Sequence, residues 1–417
     1  MSRTFFFLPF LAVVFGIFGL LEFRGYRAVR RWVRRVFSQD SQRTFFGAAR
    51  IVLVAGNALV VLQFALRGSS AYGQPVVQFV IIYPAGIFFA AVVFGFLLLV
   101  INDVVHFLAY WARRVVQLAQ QLHESTSTSV APHPSADLSP ERRNFLKWSG
   151  AAAIGVTFGT PLVSSIASAH DYRITRIPLS FPNLPAGLCG LTIAQVSDVH
   201  SGVYMTEDHM MEIVELTNSL HAHIIALTGD HVDSSDVQIP SVCQAMKMLR
   251  ADYGIYGCLG NHDHFATAEK VSAALQQVNV VMLDNAHRTL RINGEKLSFI
   301  GVDDAGYGSS NFARLDNALK GIDPESFKIL LSHRPEFFQH AKKAGMDLTL
   351  AGHTHGGQVG VEFWGINLNP AYLVTNYVRG LFVEEGKQMY VNVGVGMVAV
   401  PIRIVRPEIT LITLQRF

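Results

Sequence analysis

The second half of this chain repeats one local pattern five times: a short apolar run ends in a segment rich in Asp, His or Asn. Apolar runs of roughly 4 to 8 residues bounded by Gly, Asn or Asp predict buried strands. In layered α/β folds the carboxyl ends of strands collect ligand-binding groups, because the sheet fixes these groups without covering them. We therefore expect one cleft supplied by five strand ends, at 191–196, 223–228, 254–259, 327–331 and 346–351.

The regular alternation beyond residue 171 predicts the fold class. Helix-like patterns at 207–220, 238–249 and 266–278 separate the strand-like runs, which is typical of an α/β domain. The last third adds strand-like runs at 389–395 and 407–414. A second sheet facing the first would account for this excess of strands.

The residue types at the strand ends predict metal chemistry. Asp198 and His200 stand two apart, so on an extended segment they would point the same way and hold one ion. Asp230 follows an apolar run and Gly229, where it could bridge two ions. Mixed carboxylate and imidazole ligands favour Mn, Fe, Zn, Ni or Co over Mg or Ca. Two ions about 3.5 to 4 Å apart share a water, lower its pKa and clamp both oxygens of a phosphoryl transfer.

The order of these motifs resembles the calcineurin-like metallophosphoesterase family. The matching segments are D-x-H at 198–200, G-D-x-x-D at 229–233, G-N-H-D at 260–263, an isolated histidine at 333 and G-H-x-H at 352–355. The form G-H-T-H-G-G-Q, with G-V-G at 394–396 and P-I-R at 401–403, is similar to membrane-associated YaeI/YkuE-type phosphodiesterases. Relatives of that group include hydrolases of UDP-2,3-diacylglucosamine. The resemblance covers about 178–417 and implies a four-layer α/β/β/α sandwich.

Carried over motif by motif, the resemblance also implies roles for individual residues. His262 would act beside the leaving oxygen as general acid or charge stabiliser, with Asp263 orienting its ring. Asp233 is expected beside the metal ligands rather than among them, and the role of His231 is open. The first ion would be held by Asp198, His200, Asp230 and His355, and the second by Asp230, Asn261, His333 and His353.

These residues predict a binuclear metal-dependent phosphoesterase, either a phosphodiesterase or a pyrophosphatase, that attacks its ester with a metal-bridging hydroxide. A UDP-2,3-diacylglucosamine-type hydrolase of lipid A metabolism is the alternative within this class. A metallo-β-lactamase-type enzyme would need an early H-x-H-x-D-H cluster, which the sequence lacks. A non-catalytic membrane scaffold or sensor with a phosphoesterase fold would be marked by lost ligands, yet every ligand position and His262 are filled.

Charge and hydropathy divide the chain into a basic membrane part and an acidic soluble part. Residues 1–147 carry 15 Lys and Arg against 6 Asp and Glu, whereas residues 148–417 carry 19 against 25. Apolar runs at 5–21, 45–66 and 76–101 approach the roughly 20 residues that span a bilayer. Basic loops stay in the cytoplasm, so the arginines at 24–35 indicate that the first span runs from outside to inside. An amphipathic helix at 24–35 that lies on anionic lipid is compatible with the same topology.

Three polar residues lie in or beside the predicted spans. Asn57, Gln63 and Asp103 could mark a polar pathway through the membrane or contacts between helices.

Residues 141–169 resemble a twin-arginine export signal, with paired arginines, a modestly apolar stretch and an Ala-x-Ala site, although an ordinary signal-anchor helix is an alternative. Both interpretations place the following domain outside the cytoplasm of a bacterium, attached to its inner membrane by a multi-pass region. The predicted divisions are a membrane region at 1–119, a flexible linker at 120–140, this signal or anchor at 141–169 and the phosphoesterase domain at 170–417.

The expected partners are the membrane and a phosphate ester, with a lipid-linked ester as one candidate, and no nucleic acid. Two divalent ions are the expected cofactors. The apolar residues after the G-H-x-H motif form either a lipid-facing loop or a buried core or dimer patch. They are Phe363, Trp364, Tyr372, Leu373 and Tyr377.

Overall fold

A computed structural model of the chain describes residues 4–66, 71, 74–123, 140–167, 171–306, 312–363, 366–398 and 403–417. The described residues of the N-terminal third are mostly helical. The whole chain forms two units, Met1–Val61 with Pro84–Val163 and Leu62–Tyr83 with Ser164–Phe417. The predicted fourfold division of the chain stays a prediction. The segment Leu62–Tyr83 groups with the C-terminal unit and not with the remaining N-terminal helices.

The N-terminal helices are α1 (Thr4–Val36), α2 (Gln39–Leu66), α3 (Pro75–Val77), α4 (Tyr83–His123) and α5 (Pro140–Ala167), and a π-helical turn at Gln78–Ile82 joins α3 to α4. By length and composition, Gln39–Leu66 and Gln78–Gln117 could each cross a membrane. They contain the second predicted span and residues 78–101 of the third. The first predicted span lies in α1, where the side chains of 5–14 are outside the described part, so it stays a prediction. Most of the predicted linker, 124–139, also lies outside the described residues, as do 168–170 of the signal-like segment.

Polar side chains within the N-terminal unit are paired with one another. The Asn57 amide donates to both carboxylate oxygens of Glu22, at 2.8 and 3.0 Å. Arg24 forms an ion pair with Asp103. Buried or membrane-facing polar groups cost free energy unless they are paired, so these contacts favour helix packing as the role of Asn57 and Asp103.

The C-terminal unit contains two six-stranded sheets and a separate hairpin. The first sheet has the order β1-β14-β2-β3-β4-β5, in which β14 is antiparallel to β2 and the other pairs are parallel. Its strands are β1 (Arg173–Phe181), β2 (Thr192–Val196), β3 (Ile224–Thr228), β4 (Ile255–Cys258), β5 (Val280–Met282) and β14 (Glu408–Arg416).

The second sheet has the order β12-β13-β9-β8-β7-β6, with antiparallel pairs at its two edges and parallel pairs between them. Its strands are β6 (Ala286–Ile292), β7 (Glu295–Gly301), β8 (Phe327–Leu331), β9 (Leu348–Ala351), β12 (Gly380–Glu384) and β13 (Lys387–Val391). The hairpin consists of β10 (Val361–Phe363) and β11 (Ile366–Leu368).

Strand β3 shows why the unit has four layers. All five of its residues are buried, and because side chains alternate across a strand, both of its faces must be covered. Ile224 and Ala226 pack between the two sheets, whereas Ile225 and Leu227 pack against helices on the outer side. The outer helices are α6 (Glu207–Ser219), α7 (Ile239–Met246) and α8 (Ala268–Gln276) on the first sheet, and α9 (Leu315–Ala318) and α10 (Phe338–Lys343) on the second. The predicted α/β/β/α sandwich is confirmed.

One apolar cluster in this unit lies apart from the sandwich core. Ile82, which is fully buried, packs with Val203, Tyr204 and Met397. The Tyr83 ring meets the Tyr204 ring edge-on at 5.5 Å. The connection between the two apolar helices α2 and α4 is thus packed on loops that follow Asp198 to His200 and the G-V-G segment.

Candidate metal centre

The candidate ligands follow the carboxyl ends of strands from both sheets. Asp198 and His200 follow β2, Asp230 follows β3, and His353 follows β9. Backbone hydrogen bonds tie these loops together: the Asp198 N–H donates to the Gly229 carbonyl at 3.1 Å, and the His200 N–H donates to the Asp230 carbonyl at 2.9 Å. Side chains that are far apart in sequence therefore meet at one edge of the sandwich.

The backbone at these ligands is left-handed, not extended. The φ angles are 55° at Asp198, 49° at His200, 54° at Asp230, 72° at His353 and 50° at His355. The expectation that Asp198 and His200 converge along an extended segment was wrong in its geometry, because β2 ends at Val196. Left-handed backbone at a non-glycine residue is uncommon and stores strain, and such residues concentrate at functional sites.

Three of the predicted first-ion ligands form a tight buried group. The Nε2 atom of His200 lies 3.0 Å from Nε2 of His355, and the latter lies 3.3 Å from the Asp198 carboxylate. Asp198 also accepts hydrogen bonds from the His353 N–H at 3.1 Å on both oxygens. Potential ligand atoms of Asp198, His200 and His355 all lie within 4.8 Å of one another, so the group could hold a metal ion.

A second group stands next to the first, and its Asp230 contacts His200 of the first group. The Oδ2 atom of Asp230 is 3.0 Å from Nε2 of His333 and 3.5 Å from Nε2 of His200. Nδ1 of His353 lies 3.2 Å from Nε2 of His333. Asp230, His333 and His353 could also hold a metal ion, and one carboxylate oxygen therefore lies between the two groups.

A buried unpaired oxygen is consistent with metal binding here. Among the described residues, Oδ1 of Asn261 is buried without a hydrogen-bond partner. Buried polar atoms are nearly always paired, so each such exception calls for an explanation. An amide oxygen beside imidazole and carboxylate groups suits a divalent cation of intermediate hardness. Nδ1 of His333 donates to the Thr228 carbonyl at 2.8 Å, which leaves Nε2 as the ligand atom.

Burial and mutual charge set the protonation of the group. Burial lowers the pKa of His200, His353 and His355 well below the usual value, so their imidazoles are neutral and have lone pairs for a metal. Burial likewise raises the pKa of Asp198 to about 6, although the His333 charge offsets part of the effect.

His333 and Asp230 behave as an ion pair. Burial disfavours the His333 cation, but the Asp230 charge and hydrogen bond outweigh burial and raise its pKa to about 10. Burial likewise opposes the Asp230 charge, yet His333 and His262 hold the Asp230 pKa well below its usual range. A protonated His333 thus balances the carboxylate, and metal ligation there would release that proton.

His262 lies beside the centre, but its partner differs from the expected one. Its ring stands edge-on to the His200 ring, with centroids 4.5 Å apart. Nδ1 of His262 donates to the Asp233 backbone carbonyl at 2.5 Å and lies 3.8 Å from the Asp233 carboxylate. The backbone N–H of His262 donates to Oδ1 of Asp230 at 2.8 Å. Asp233, and not Asp263, therefore orients this ring.

Asp263 instead organises the loop that carries Asp230. Its carboxylate accepts from the backbone N–H groups of His231, Val232 and Gly260, at 2.9, 3.2 and 2.9 Å. It also contacts Nδ1 of His231 at 3.0 Å. The prediction that Asp263 orients His262 was wrong because a carboxylate next to a histidine in sequence can satisfy backbone donors in a tight turn. His231, whose role was open, is the imidazole that Asp263 contacts.

Two features of the centre were missed in the sequence. Glycines allow the backbone to approach the carboxylates closely: a Cβ at Gly260 would lie 2.2 Å from Oδ1 of Asp230, and one at Gly394 would lie 2.7 Å from Cβ of Asp198. Arg403 is buried and donates to the carbonyls of Gly394 and Val405, each at 2.8 Å. The G-D, G-N and G-V-G motifs could have indicated that the backbone approaches closely at these glycines. The sequence around Arg403 gives no indication that its side chain is buried.

The apolar residues after the G-H-x-H motif have different environments. Leu373 is 90% exposed, and Tyr372 is partly exposed. The Tyr377 hydroxyl donates to Glu384 at 2.7 Å. Trp364 lies outside the described residues, as does the Phe363 side chain.

Comparison with known proteins agrees with this geometry. Residues 191–357 match the family model for calcineurin-like phosphoesterases. The uncharacterized metallophosphoesterase YkuE of Bacillus subtilis is 29% identical over 285 residues, which cover 66% of this chain and 97% of that protein. A Bos taurus transmembrane protein with metallophosphoesterase domain is 29% identical over 284 residues, which cover 64% of this chain but only 62% of the bovine protein. The chain therefore carries a calcineurin-like metallophosphoesterase domain, the domain of a hydrolase that acts on phosphoric esters.

Proposed function

We propose that this protein is a membrane-bound phosphodiesterase or pyrophosphatase that uses two divalent ions and acts on a lipid-linked phosphate ester. One observation carries the two-ion part: a single Asp230 oxygen lies within 3.5 Å of a histidine from each of two ligand groups. The first ion would be held by Asp198, His200, Asp230 and His355, and the second by Asp230, Asn261, His333 and His353.

The side chains around the two groups support hydrolysis of a phosphoryl centre. Two bound ions would polarise a shared water and offset the charge on the phosphoryl oxygens. His262 contributes proton transfer: Nδ1 donates to the Asp233 carbonyl, so Nε2 is the nitrogen that faces the leaving oxygen, and a doubly protonated ring would give that oxygen a proton from Nε2. The Asp230 carboxylate also holds the His262 backbone N–H, so His262 keeps a fixed position relative to both ions.

Exposed apolar residues near the centre support a lipid-linked substrate. Leu373 and Val374 are 90% and 75% exposed and lie in a turn that follows Asn369. Asn369 donates to the carbonyl of Gly356 at 2.7 Å, directly after His355. Large apolar side chains exposed together mark surfaces that contact protein or lipid, and this pair is tied to the metal-binding motif.

The packing of Ile82 supports a site close to the membrane and outside the cytoplasm of a bacterial inner membrane. Ile82 lies near the start of the second of two helices that are long and apolar enough to span a bilayer, and it packs on Val203 and Met397. The phosphoesterase domain and the connection at the start of that helix would then share one side of the membrane. The block of arginines at 24–35 supports a connection on the outer side, and a twin-arginine signal at 141–169 would support the same side.

Metal analysis and a substrate screen test the proposal on the full chain in detergent. Wild-type protein should hold two ions, and Asp230→Asn should lose both, because one isosteric change removes charge from both groups. Asp323→Asn, which alters an ion pair with Lys296 on the second sheet, is the matched control and should keep both. The metal-loaded enzyme should hydrolyse at least one class among phosphodiesters, monoesters, phospholipids and UDP-linked lipids. A single tightly held ion in the wild type would exclude the two-ion centre.

A further inference from the structure

Arg334 follows the candidate ligand His333 and is bound between an acid and a second candidate ligand. Its Nε donates to the Asp304 carboxylate at 2.7 Å, and its Nη1 lies 2.9 Å from Nε2 of His353. Both Arg334 and Asp304 are buried, with 9% and 3% of their surfaces exposed. A buried guanidinium that contacts a metal-ligating imidazole is unusual, because such an imidazole normally donates its second N–H to an acceptor.

The contact changes in character when His353 binds a metal. Nδ1 of His353 faces Nε2 of His333 at 3.2 Å and is the nitrogen directed at the second group. A neutral imidazole that ligates through Nδ1 carries its hydrogen on Nε2. Arginine has only donors, so two N–H groups would then face each other across 2.9 Å, and Arg334 would turn Nη1 towards another acceptor.

We propose that Arg334 is a substrate-binding residue that donates from Nη1 to a non-bridging phosphoryl oxygen of the ester at the second ion position. The inference rests on the proposed phosphoesterase function, because the acceptor is the substrate of that site. The Asp304 carboxylate contacts Nε at 2.7 Å and Nη2 at 3.4 Å and thereby fixes the plane of the guanidinium, so a small shift of this pair would carry Nη1 from His353 to the phosphoryl oxygen. Guanidinium groups suit this task, since their planar set of donors matches phosphate oxygens.

A purely structural role for Arg334 makes a different prediction. If the guanidinium only supported His353, its loss would disturb the second ligand group and lower metal content. If it binds substrate, its loss would leave both ions in place and weaken binding of the phosphoryl group. Metal content and phosphate affinity therefore separate the two roles without any measurement of turnover.

The test compares full-length wild type, Arg334→Gln and Arg334→Lys in detergent, with Arg291→Gln on the exposed edge strand β6 as the matched control. Inorganic phosphate is titrated into metal-loaded protein by calorimetry, and bound metal is counted on the same samples. Loss of one charge-assisted hydrogen bond should weaken phosphate binding by about 10- to 100-fold in Arg334→Gln. Arg334→Lys should recover part of the affinity, and Arg291→Gln should match the wild type.

Several results would overturn the inference: phosphate affinity unchanged in Arg334→Gln, metal lost from that variant, or no phosphate binding by the wild type. When an ester that the wild type hydrolyses is used as substrate, Arg334→Gln should raise KM by the same factor as it raises the Kd for phosphate. Failure of the proposed function would look different. The wild type would then bind phosphate with its ions but hydrolyse no ester, while the effect of Arg334→Gln on phosphate binding persisted.

Discussion

Replacing Gly260 by alanine should disable the metal centre without touching a ligand. The new Cβ would lie 2.2 Å from Oδ1 and 2.5 Å from the backbone nitrogen of Asp230. Neither atom can move aside easily, because Oδ1 accepts the His262 N–H at 2.8 Å and the nitrogen belongs to the backbone. Restoring even a 3.0 Å separation requires the carboxylate to move by about 0.8 Å. Metal–ligand distances tolerate deviations of only about 0.2 Å, so Asp230 could no longer serve both ion positions.

The expected result is a loss of bound metal together with a moderate loss of stability. Displacing the atoms around a metal ligand weakens metal affinity by about 10- to 100-fold, and overpacking a tight site costs about 1 to 3 kcal/mol in free energy of unfolding. Bound metal would be counted by mass spectrometry on full-length protein. Stability would be followed by thermal unfolding with chelator present, so that metal loss and packing strain are separated.

Gly257→Ala is the matched control in the same strand and loop. Its Cβ would meet Sδ of Met282 at 2.9 Å, the flexible part of a side chain that can move aside. This variant should keep its metal and its turnover. The reasoning fails if Gly260→Ala holds metal as the wild type does, or if Gly257→Ala loses as much metal as Gly260→Ala.

Three further predictions concern other parts of the chain. His262→Ala should lower turnover by about 10²- to 10⁴-fold with bound metal unchanged; turnover equal to the wild type would remove its proposed role. Burial lowers the pKa of His264, but its hydrogen bond to Asp303 at 2.7 Å outweighs burial, so the folded pKa is raised. The stability from this pair is therefore complete below about pH 6.5 and is lost as the pH rises through the folded pKa. His264→Gln should lower the melting temperature more at pH 5.5 than at pH 8.5, and an equal loss would contradict the sign. An alkaline phosphatase reporter fused after Phe417 should be active, because it matures only outside the cytoplasm; an inactive reporter on a stable fusion would reverse the proposed topology.

The sequence predicted that these residues would lie close together, because strand ends constrain where side chains can lie, while their role as metal ligands stays a prediction. Five apolar runs identified the strands, and the parallel order of β2, β3 and β4 brings their carboxyl ends to one edge. The positions of Asp198 and Asp230 followed from that edge, whereas His333 and His353 follow β8 and β9 of the second sheet. The pattern of apolar residues along a strand indicates which side chains are buried and where the strand ends. This pattern can be identified in the sequence without any knowledge of the tertiary contacts.

Contacts set by turns could not be predicted in the same way. Asp263 is the next residue after His262, whereas Asp233 lies 29 positions before it, and only the backbone path decides which one faces the ring. The left-handed φ of 54° at Asp230 redirects the loop so that Asp263 meets backbone N–H groups. Sequence adjacency suggested the opposite assignment. Arg334 was missed for a related reason, since its partner Asp304 is buried beside it but lies 30 positions away in sequence.

The side of the membrane and the identity of the substrate constrain each other. The connection between the two apolar helices packs through Ile82 on Tyr204, within a few residues of His200. Basic residues at 24–35 and at 113–114 flank the apolar runs on the opposite side from that connection, which supports an outward-facing site. A nucleotide-linked lipid made in the cytoplasm, such as UDP-2,3-diacylglucosamine, would not meet such a site. A phosphodiester or pyrophosphate carried on a lipid of the outer face would meet it directly, so the reporter fusion also decides between these two substrate classes.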